Sequence, residues 1–173
     1  MTETFARIID FSLEQEGGYV NDPADPGGET NYGISKRSYP DLEIKRLTRD
    51  HAISLYRSEF WERLSLPSMA PAVAAATFDA AVNCGPGSAV RWLQSGINDL
   101  VHSPTGSDID VDGDLGPQTI AASQHCSALR LAMAIQAARL RHYCRLAAKH
   151  PQYLRGWAMR LAALQDLIVQ EAI

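Results

Sequence analysis

The sequence is poor in cysteine and has no long apolar run. Only Cys84, Cys126 and Cys144 occur among 173 residues, too few and too odd in number for a disulfide framework. We therefore expect a protein that folds in a reducing cytosol. No stretch reaches about 18 consecutive apolar residues. The first 30 residues lack a basic start followed by an apolar run, so no signal peptide is predicted.

Patterns typical of several other classes of protein are missing too. The five histidines form no His-Glu-x-x-His pair, which argues against a zinc amidase or peptidase. Cys84 stands in an apolar segment, which indicates a small buried residue and not a nucleophile. The basic residues lack the number and the interleaved aromatic residues of a nucleic-acid site, so no nucleic-acid partner is predicted.

The acidic loop at residues 108–114 resembles the first half of a calcium-binding loop. Acids occupy its positions one, three and five, and glycine occupies position six. Position twelve, which requires a bidentate Glu, is Thr119. A solvated turn is therefore the preferred interpretation, calcium is the alternative, and the sequence predicts neither a metal nor a cofactor.

Length and charge indicate one domain with a basic end. With 46% apolar residues, the chain can bury one sizeable core, and we expect a single compact monomeric domain over residues 1–173. Residues 1–114 carry 9 Lys/Arg and 18 Asp/Glu, whereas residues 115–173 carry 7 and 2. The basic C-terminal helix has either a solvated face or a transient contact with an anionic cell envelope.

The spacing of apolar residues predicts a mainly α-helical protein. Phe5, Ile8, Ile9 and Leu13 form one face of a first helix that ends before Gly17-Gly18. Residues 19–35 are rich in turn formers, which predicts a loop or small β-hairpin lobe with strands around 19–20 and 32–34. Further helices are predicted from Thr48, Ser68, the region before Val90, Gly116-Pro117, Ser127 and Leu154.

Glu16 continues the apolar face of the first helix to its C-terminal end. Cleaving a glycosidic bond needs a carboxylic acid that protonates the leaving oxygen, and usually a second carboxylate that stabilises positive charge or activates water. Apolar surroundings and the partial negative charge of a helix C-terminus both favour a protonated acid. Asp25 on the following loop is the candidate second carboxylate, and the Thr30 hydroxyl can orient a water.

Several nearby polar and aromatic residues are candidates for binding sugar rings. Tyr19, Asn31 and Tyr32 flank the expected cleft, although each can equally serve packing. Asp79 and Asn83 lie one helical turn apart and can line the cleft floor or make core hydrogen bonds. Likewise, Asp25 can be a turn-forming residue and Thr30 an ordinary strand residue.

The residues around Glu16 closely resemble the opening motif of glycoside hydrolase family 108, the phage-endolysin and secretion-activator muramidases. The resemblance rests on Glu-Gly-Gly-Tyr-Val-Asn-Asp-Pro, Asp-Pro-Gly-Gly and Thr-Asn-Tyr-Gly-Ile-Ser at 16–23, 25–28 and 30–35. In that family the Glu before Gly-Gly-Tyr is the catalytic acid, which corresponds to Glu16. The order of Glu16, Asp25 and Thr30 is also similar to the phage-type lysozyme triad, in which the last step is more often six residues than five.

The resemblance extends over nearly the whole chain. Residues 78–85, 89–94, 112–119, 139–143 and 156–160 are similar to the family's second half, described as a predicted peptidoglycan-binding domain. This implies a catalytic half at 1–85 and a helical peptidoglycan-binding half at 86–173, packed as one lysozyme-like unit.

The resemblance implies an N-acetylmuramidase that cleaves the β-1,4 bond between N-acetylmuramic acid and N-acetylglucosamine. Its partner would be bacterial peptidoglycan. A lytic transglycosylase and a non-catalytic peptidoglycan-binding secretion accessory protein are the alternatives. We expect a phage or prophage endolysin that is made in the host cytoplasm and acts in the periplasm after holin-type release.

Overall fold

A computed structural model describes residues 3–21, 28–101 and 108–172. As predicted, the fold is mainly α-helical, and one small antiparallel sheet accompanies seven α-helices in this described part. The helices are α1 (Glu3–Glu16), α2 (Arg49–Tyr56), α3 (Pro71–Cys84), α4 (Pro86–Leu100), α5 (Pro117–Ser123), α6 (Ala128–Ala147) and α7 (Leu154–Glu171). A π-helical turn, Arg57–Glu62, extends α2, and 3₁₀ turns lie at Ile44–Arg46, Leu66–Ser68 and Pro151–Tyr153. None of the helices in the described ranges has the length and apolar character needed to cross a bilayer.

Local sequence signals account for several helix ends. Gly17, with φ +76°, follows the last residue of α1 in a conformation that few side chains tolerate. Thr48 caps α2, since its side chain accepts a hydrogen bond from the His51 N–H. The third helix begins at Pro71, three residues later than predicted, because Leu66–Ser68 forms a separate 3₁₀ turn. Proline at the first position of α3 fits a helix start, where its missing N–H leaves no bond unmade.

Helix α3 lies at the centre of the molecule. It packs against α1, α4, α6 and α7, and every residue from Ala72 to Ala81 is buried. Its many alanines let neighbouring helices approach closely, and the Phe78 ring fills the space among Phe5, Tyr56 and Trp61. A helix that is buried on all sides must still satisfy its polar side chains. For Asp79 of α3, this requirement builds the site described below.

The hairpin lobe is a two-residue turn between very short strands. β1 (Thr30–Asn31) pairs with β2 (Ile34–Ser35), and Val20 pairs with Thr30 as an additional bridge. Tyr32 and Gly33 have φ values of +52° and +75°, which indicates a type I′ turn. The strand predicted at 32–34 was therefore misplaced, because Tyr32-Gly33 makes the turn itself.

Candidate active site

Glu16 lies where the end of α1 meets the tip of the hairpin. Its side chain is 22% exposed. A Cβ added at Gly33 would lie 2.9 Å from both Cγ and Oε2 of Glu16, and 2.6 Å from the Tyr56 hydroxyl. Gly33 thus serves two purposes, since it permits the turn conformation and lets the hairpin backbone touch the carboxyl group.

The two oxygens of the Glu16 carboxyl group have different neighbours. Arg160 of α7 donates a hydrogen bond from Nη1 to Oε1 at 2.8 Å. Oε2 faces Gly33 and has no hydrogen-bond partner among the residues that the structure describes. One oxygen is therefore fixed by a cation, and the other faces the hairpin backbone.

Arg160 is held in place by a fully buried carboxylate. Its Nη2 contacts Asp79 Oδ1 at 2.7 Å, and its Nε lies 3.2 Å from both Asp79 oxygens. On the other side, Arg139 Nη1 contacts Asp79 Oδ2 at 2.6 Å. Burial alone would raise the pKa of Asp79, but the attraction of Arg139 and Arg160 outweighs it and holds that pKa below its usual value. Asp79 is therefore a charged anchor.

The network continues from Arg139 to the end of α3. Arg139 Nε donates to the Tyr143 hydroxyl at 2.6 Å, and this hydroxyl donates to Oδ1 of Asn83. Two cations and two carboxyl groups thus form one connected, largely buried cluster with Tyr143 and Asn83 at its outer end. Removing one partner of a buried ion pair strongly destabilises a protein, because the other charge is left buried without a counter-charge. The cluster therefore holds its members in one arrangement.

Tyr56 closes the other side of Glu16. Its hydroxyl donates to the Tyr32 carbonyl oxygen at 2.9 Å. Burial, and then the nearby Glu16 charge, raise the pKa of Tyr56 above its usual value, so the phenol stays neutral and fixes the hairpin tip. Beside it lies a cleft of about 230 Å³. The cleft is lined by Glu16, Gly33, Ile34, Ser35, Ser38, Tyr39, Leu55, Tyr56, Phe60 and Val82.

Asp25, one of the three proposed catalytic residues, lies outside the described residues. Thr30, the third of them, lies in β1. Thr30 is half-buried in β1, and its hydroxyl donates to the Gly28 carbonyl oxygen at 3.4 Å. It belongs to the strand that leads into the Tyr32-Gly33 turn. Its role in orienting water stays a prediction.

The candidate sugar-binding residues occupy different environments. Tyr19 is exposed, and its hydroxyl donates to Glu29 Oε1 at 3.1 Å. The Asn31 amide is buried and donates to the carbonyl oxygens of Ile44 and Leu47, which anchors the hairpin.

The other three candidates lie close to the Glu16 network. Tyr32 is half-buried, and its carbonyl oxygen binds Tyr56. Asp79 is fully buried beneath Arg160, whereas Asn83 is exposed at the end of α3. The substrate contacts of Tyr32 and Asn83 stay predictions, whereas Asp79 is fully buried and paired with Arg139 and Arg160, so it has no surface left for a sugar.

Sequence reasoning missed the residues that hold Glu16. Arg160 and Arg139 fell within segments of family similarity without an assigned role at the site, and Tyr56 was given no role there. Buried arginines have no local sequence signal, since basic residues on a helix are usually solvated. The available clue was an Asp within an alanine-rich helix, because a carboxylate that such a helix buries requires a cation.

The acidic loop at 108–114 makes internal hydrogen bonds. Asp112 Oδ1 accepts bonds from the Asp114 N–H at 2.8 Å and from Gln94 Nε2 at 2.7 Å, and these bonds lower the pKa of Asp112. Within the described ranges, no group of three or more His, Cys, Asp or Glu residues is placed to hold a metal ion.

Comparison with known proteins gives two family matches that together span most of the chain. Residues 9–85 match the family model Glycosyl hydrolase 108, and residues 88–162 match the model Predicted Peptidoglycan domain. A solved structure described as the structure of Brucella abortus SagA superposes with a TM-score of 0.81 at 29% sequence identity. That match covers 99% of this chain and 97% of the other. A search of curated proteins finds no match.

Proposed function

The chain belongs to the glycosyl hydrolase 108 family, and we propose that it is a peptidoglycan hydrolase that acts as an N-acetylmuramidase. The bond cleaved would be the β-1,4 linkage between N-acetylmuramic acid and N-acetylglucosamine. The observation that carries this proposal is the Glu16 carboxyl group, with Oε1 bound to Arg160 and Oε2 open beside a cleft.

In the proposed mechanism, Glu16 transfers a proton from Oε2 to the glycosidic oxygen as the bond from that oxygen to the anomeric carbon breaks. Positive charge develops on the anomeric carbon, water adds there, and the proton that this water loses passes to a carboxylate, either Asp25 or the ionised Glu16. Arg160 stabilises the negative charge that Glu16 acquires on losing its proton. General acid catalysis of this kind contributes roughly 10² to 10⁴ in rate.

Asp25 and Thr30 complete the proposal as the groups that stabilise the developing positive charge or activate the attacking water. Asp25→Asn and Thr30→Ala should each lower kcat on purified peptidoglycan without changing the identity of the products. If both variants keep full activity and the products carry anhydro ends, Glu16 acts alone and the enzyme is a lytic transglycosylase.

The decisive experiment compares the wild type with Glu16→Gln on purified peptidoglycan. Fragments are reduced with borohydride and identified by mass spectrometry. Glu14→Gln is the matched control, since Glu14 is an exposed residue of the same helix. We expect reducible muramic acid ends from the wild type and from Glu14→Gln, and almost none from Glu16→Gln. If neither the wild type nor the control releases fragments, the remaining alternative is a non-catalytic peptidoglycan binder.

We also propose a lytic role that depends on delivery to the wall. Expression of the chain in the bacterial cytoplasm should leave cells intact, and co-expression of a holin-type pore should cause lysis. Lysis by the chain alone would contradict the need for a pore. No lysis with the pore, despite activity on purified peptidoglycan, would favour a non-lytic role at a bacterial secretion locus.

A further inference from the structure

Two aromatic side chains at the start of α7 lie close to Arg160. Trp157 precedes Arg160 by three residues, and Tyr153 precedes Trp157 by four, so all three lie on one face of the helical segment. Tyr153 is 56% exposed, and Trp157 is half-buried. The aromatic pair therefore begins one helical turn from the guanidinium that contacts Glu16.

The rings are rigidly supported from beneath. The Tyr143 ring stacks on Trp157 with centroids 4.9 Å apart and planes 10° apart. Tyr153 packs against Trp157 at 5.7 Å. The Tyr143 hydroxyl is fixed by Arg139 and Asn83, so the stack is continuous with the buried ion-pair network. A surface that is ordered before binding loses little entropy when a ligand arrives.

Asn83 contacts this stack through the Tyr143 hydroxyl. Its neighbour Val82 lines the cleft, and Asn83 itself is exposed. The Asn83 side-chain oxygen accepts the Tyr143 hydroxyl, while its amide nitrogen makes no hydrogen bond with any residue in the described ranges. The N–H groups of that amide are placed to donate to a hydroxyl or acetamido oxygen.

The electrostatic surroundings favour an anionic polymer. Residues 115–165 contain seven Lys/Arg and no Asp/Glu. Arg139 and Arg160 are buried in ion pairs, whereas Arg141, Arg145 and Lys149 are exposed. None of these three pairs with a carboxylate in the described part of the chain. Peptidoglycan carries carboxylates on the peptides that branch from its glycan strand, so this field attracts it.

We propose that Trp157 and Tyr153, backed by Tyr143, form a platform on which a pyranose ring of the glycan strand stacks. This inference rests on the proposed hydrolase function. The C–H face of a sugar ring packs well on an aromatic face, and the Asn83 amide supplies a polar contact at the near edge. Because Oε1 of Glu16 faces α7 and Oε2 faces the hairpin, the platform binds the strand on the α7 side of the acid.

The first test measures binding of the Glu16→Gln protein to purified sacculi by co-sedimentation, so that hydrolysis does not interfere. Tyr153→Ala and Trp157→Ala are introduced into this background. Met159→Ala is the control, because Met159 is 64% exposed on α7, two residues from Trp157 and on the other side of the helix. We expect the Kd to rise about tenfold with Trp157→Ala and severalfold with Tyr153→Ala. It should stay unchanged with Met159→Ala.

Trp157→Phe tests whether Trp157→Ala loses binding only because it fails to fold, since phenylalanine should preserve the stack on Tyr143. This variant should bind sacculi within about threefold of its parent. A second readout uses a tetramer of N-acetylglucosamine, which contains sugar rings and no peptide. The tetramer should change the tryptophan fluorescence of Trp92→Phe but not that of Trp157→Phe.

Each outcome separates the platform from the hydrolase proposal. If the wild type releases fragments and both alanine variants bind sacculi as tightly as their parent, the platform is overturned and the enzyme stands. If the wild type releases nothing but the alanine variants lose binding, the platform stands without the enzyme. Competition by free stem peptide, with no fluorescence response to the tetramer, would overturn a sugar ring as the occupant.

Discussion

Arg160 donates a hydrogen bond to Glu16 at 2.8 Å, although the two residues lie 144 positions apart in the sequence. The same guanidinium makes a two-pronged contact with Asp79 at 2.7 and 3.2 Å. A planar group with five N–H donors can meet both carboxyl groups at once, which an ammonium group cannot do. The position of Glu16 therefore depends on a residue near the C-terminus.

Replacing Arg160 with lysine should reduce catalysis more than substrate binding. We expect kcat to fall about 10²-fold, because a small displacement of a proton donor is costly, while KM stays within about twofold. Steady-state kinetics on solubilised peptidoglycan measure both quantities. Arg155→Lys, at an exposed position of the same helix, is the control and should behave as the wild type. An unchanged kcat in Arg160→Lys would mean that the contact does not position the acid.

Asp79→Asn should weaken the fold strongly. It leaves Arg139 and Arg160 buried without a full counter-charge, so the free energy of unfolding should fall by about 3–5 kcal/mol. Urea denaturation followed by circular dichroism measures this change. Asp10→Asn removes an exposed ion pair with Arg49 and should cost less than about 1 kcal/mol. Equal effects of the two variants would contradict the anchoring role of Asp79.

The same carboxylate should make stability dependent on acid pH. Its pKa in the folded protein lies below the ordinary value of 3.8, owing to Arg139 and Arg160. Its contribution to stability is therefore complete above that ordinary value and is lost as the pH falls through the folded-state pKa. Between about pH 4 and pH 2, the unfolding free energy of the wild type should fall more steeply than that of Asp79→Asn. Parallel curves would show that Asp79 does not titrate in this way.

Gly33→Ala should impair activity through the position of Glu16. The new methyl group would meet the Glu16 carboxyl at 2.9 Å and the Tyr56 hydroxyl at 2.6 Å, and φ of +75° would strain alanine further. We expect kcat to fall on the order of 10-fold to 10²-fold, with a stability loss of about 1–3 kcal/mol.

Gly156→Ala is the matched control for Gly33→Ala. A Cβ at Gly156 meets nothing within 4 Å, and the position lies within α7. This change should leave activity intact and stabilise the protein by about 0.5–1 kcal/mol. Full activity in Gly33→Ala would mean that the hairpin yields without moving the acid.

The helical fold could be predicted from the sequence because apolar spacing and helix-boundary residues are local signals. Apolar spacing predicted the helix that carries Glu16, and Gly17, Thr48 and Pro117 gave three of the helix boundaries. The Tyr32-Gly33 turn was assigned to a strand, because tyrosine with a positive φ has no clear sequence signature. Likewise, nothing in Arg57–Glu62 distinguished a π-helical turn from a continued α-helix.

The surroundings of Glu16 could be predicted only in part. The apolar face of α1 correctly predicted a side chain partly removed from water, since the Glu16 side chain is 22% exposed. The guanidinium that meets Glu16 comes from α7, and periodicity within one helix says nothing about which helix faces it. The burial of Asp79 could not be predicted either, because an Asp and an Asn one helical turn apart are compatible with a cleft floor and with a core hydrogen-bond network.

The contact between α1 and α7 has a consequence for recombination between relatives. The two family models meet between residues 85 and 88, which looks like a natural point for exchanging modules. A chimera joined there would take its acid from one parent and the arginine that holds this acid from the other. Functional exchange would therefore require that the parent of the second half present a guanidinium at the position of Arg160 on its last helix.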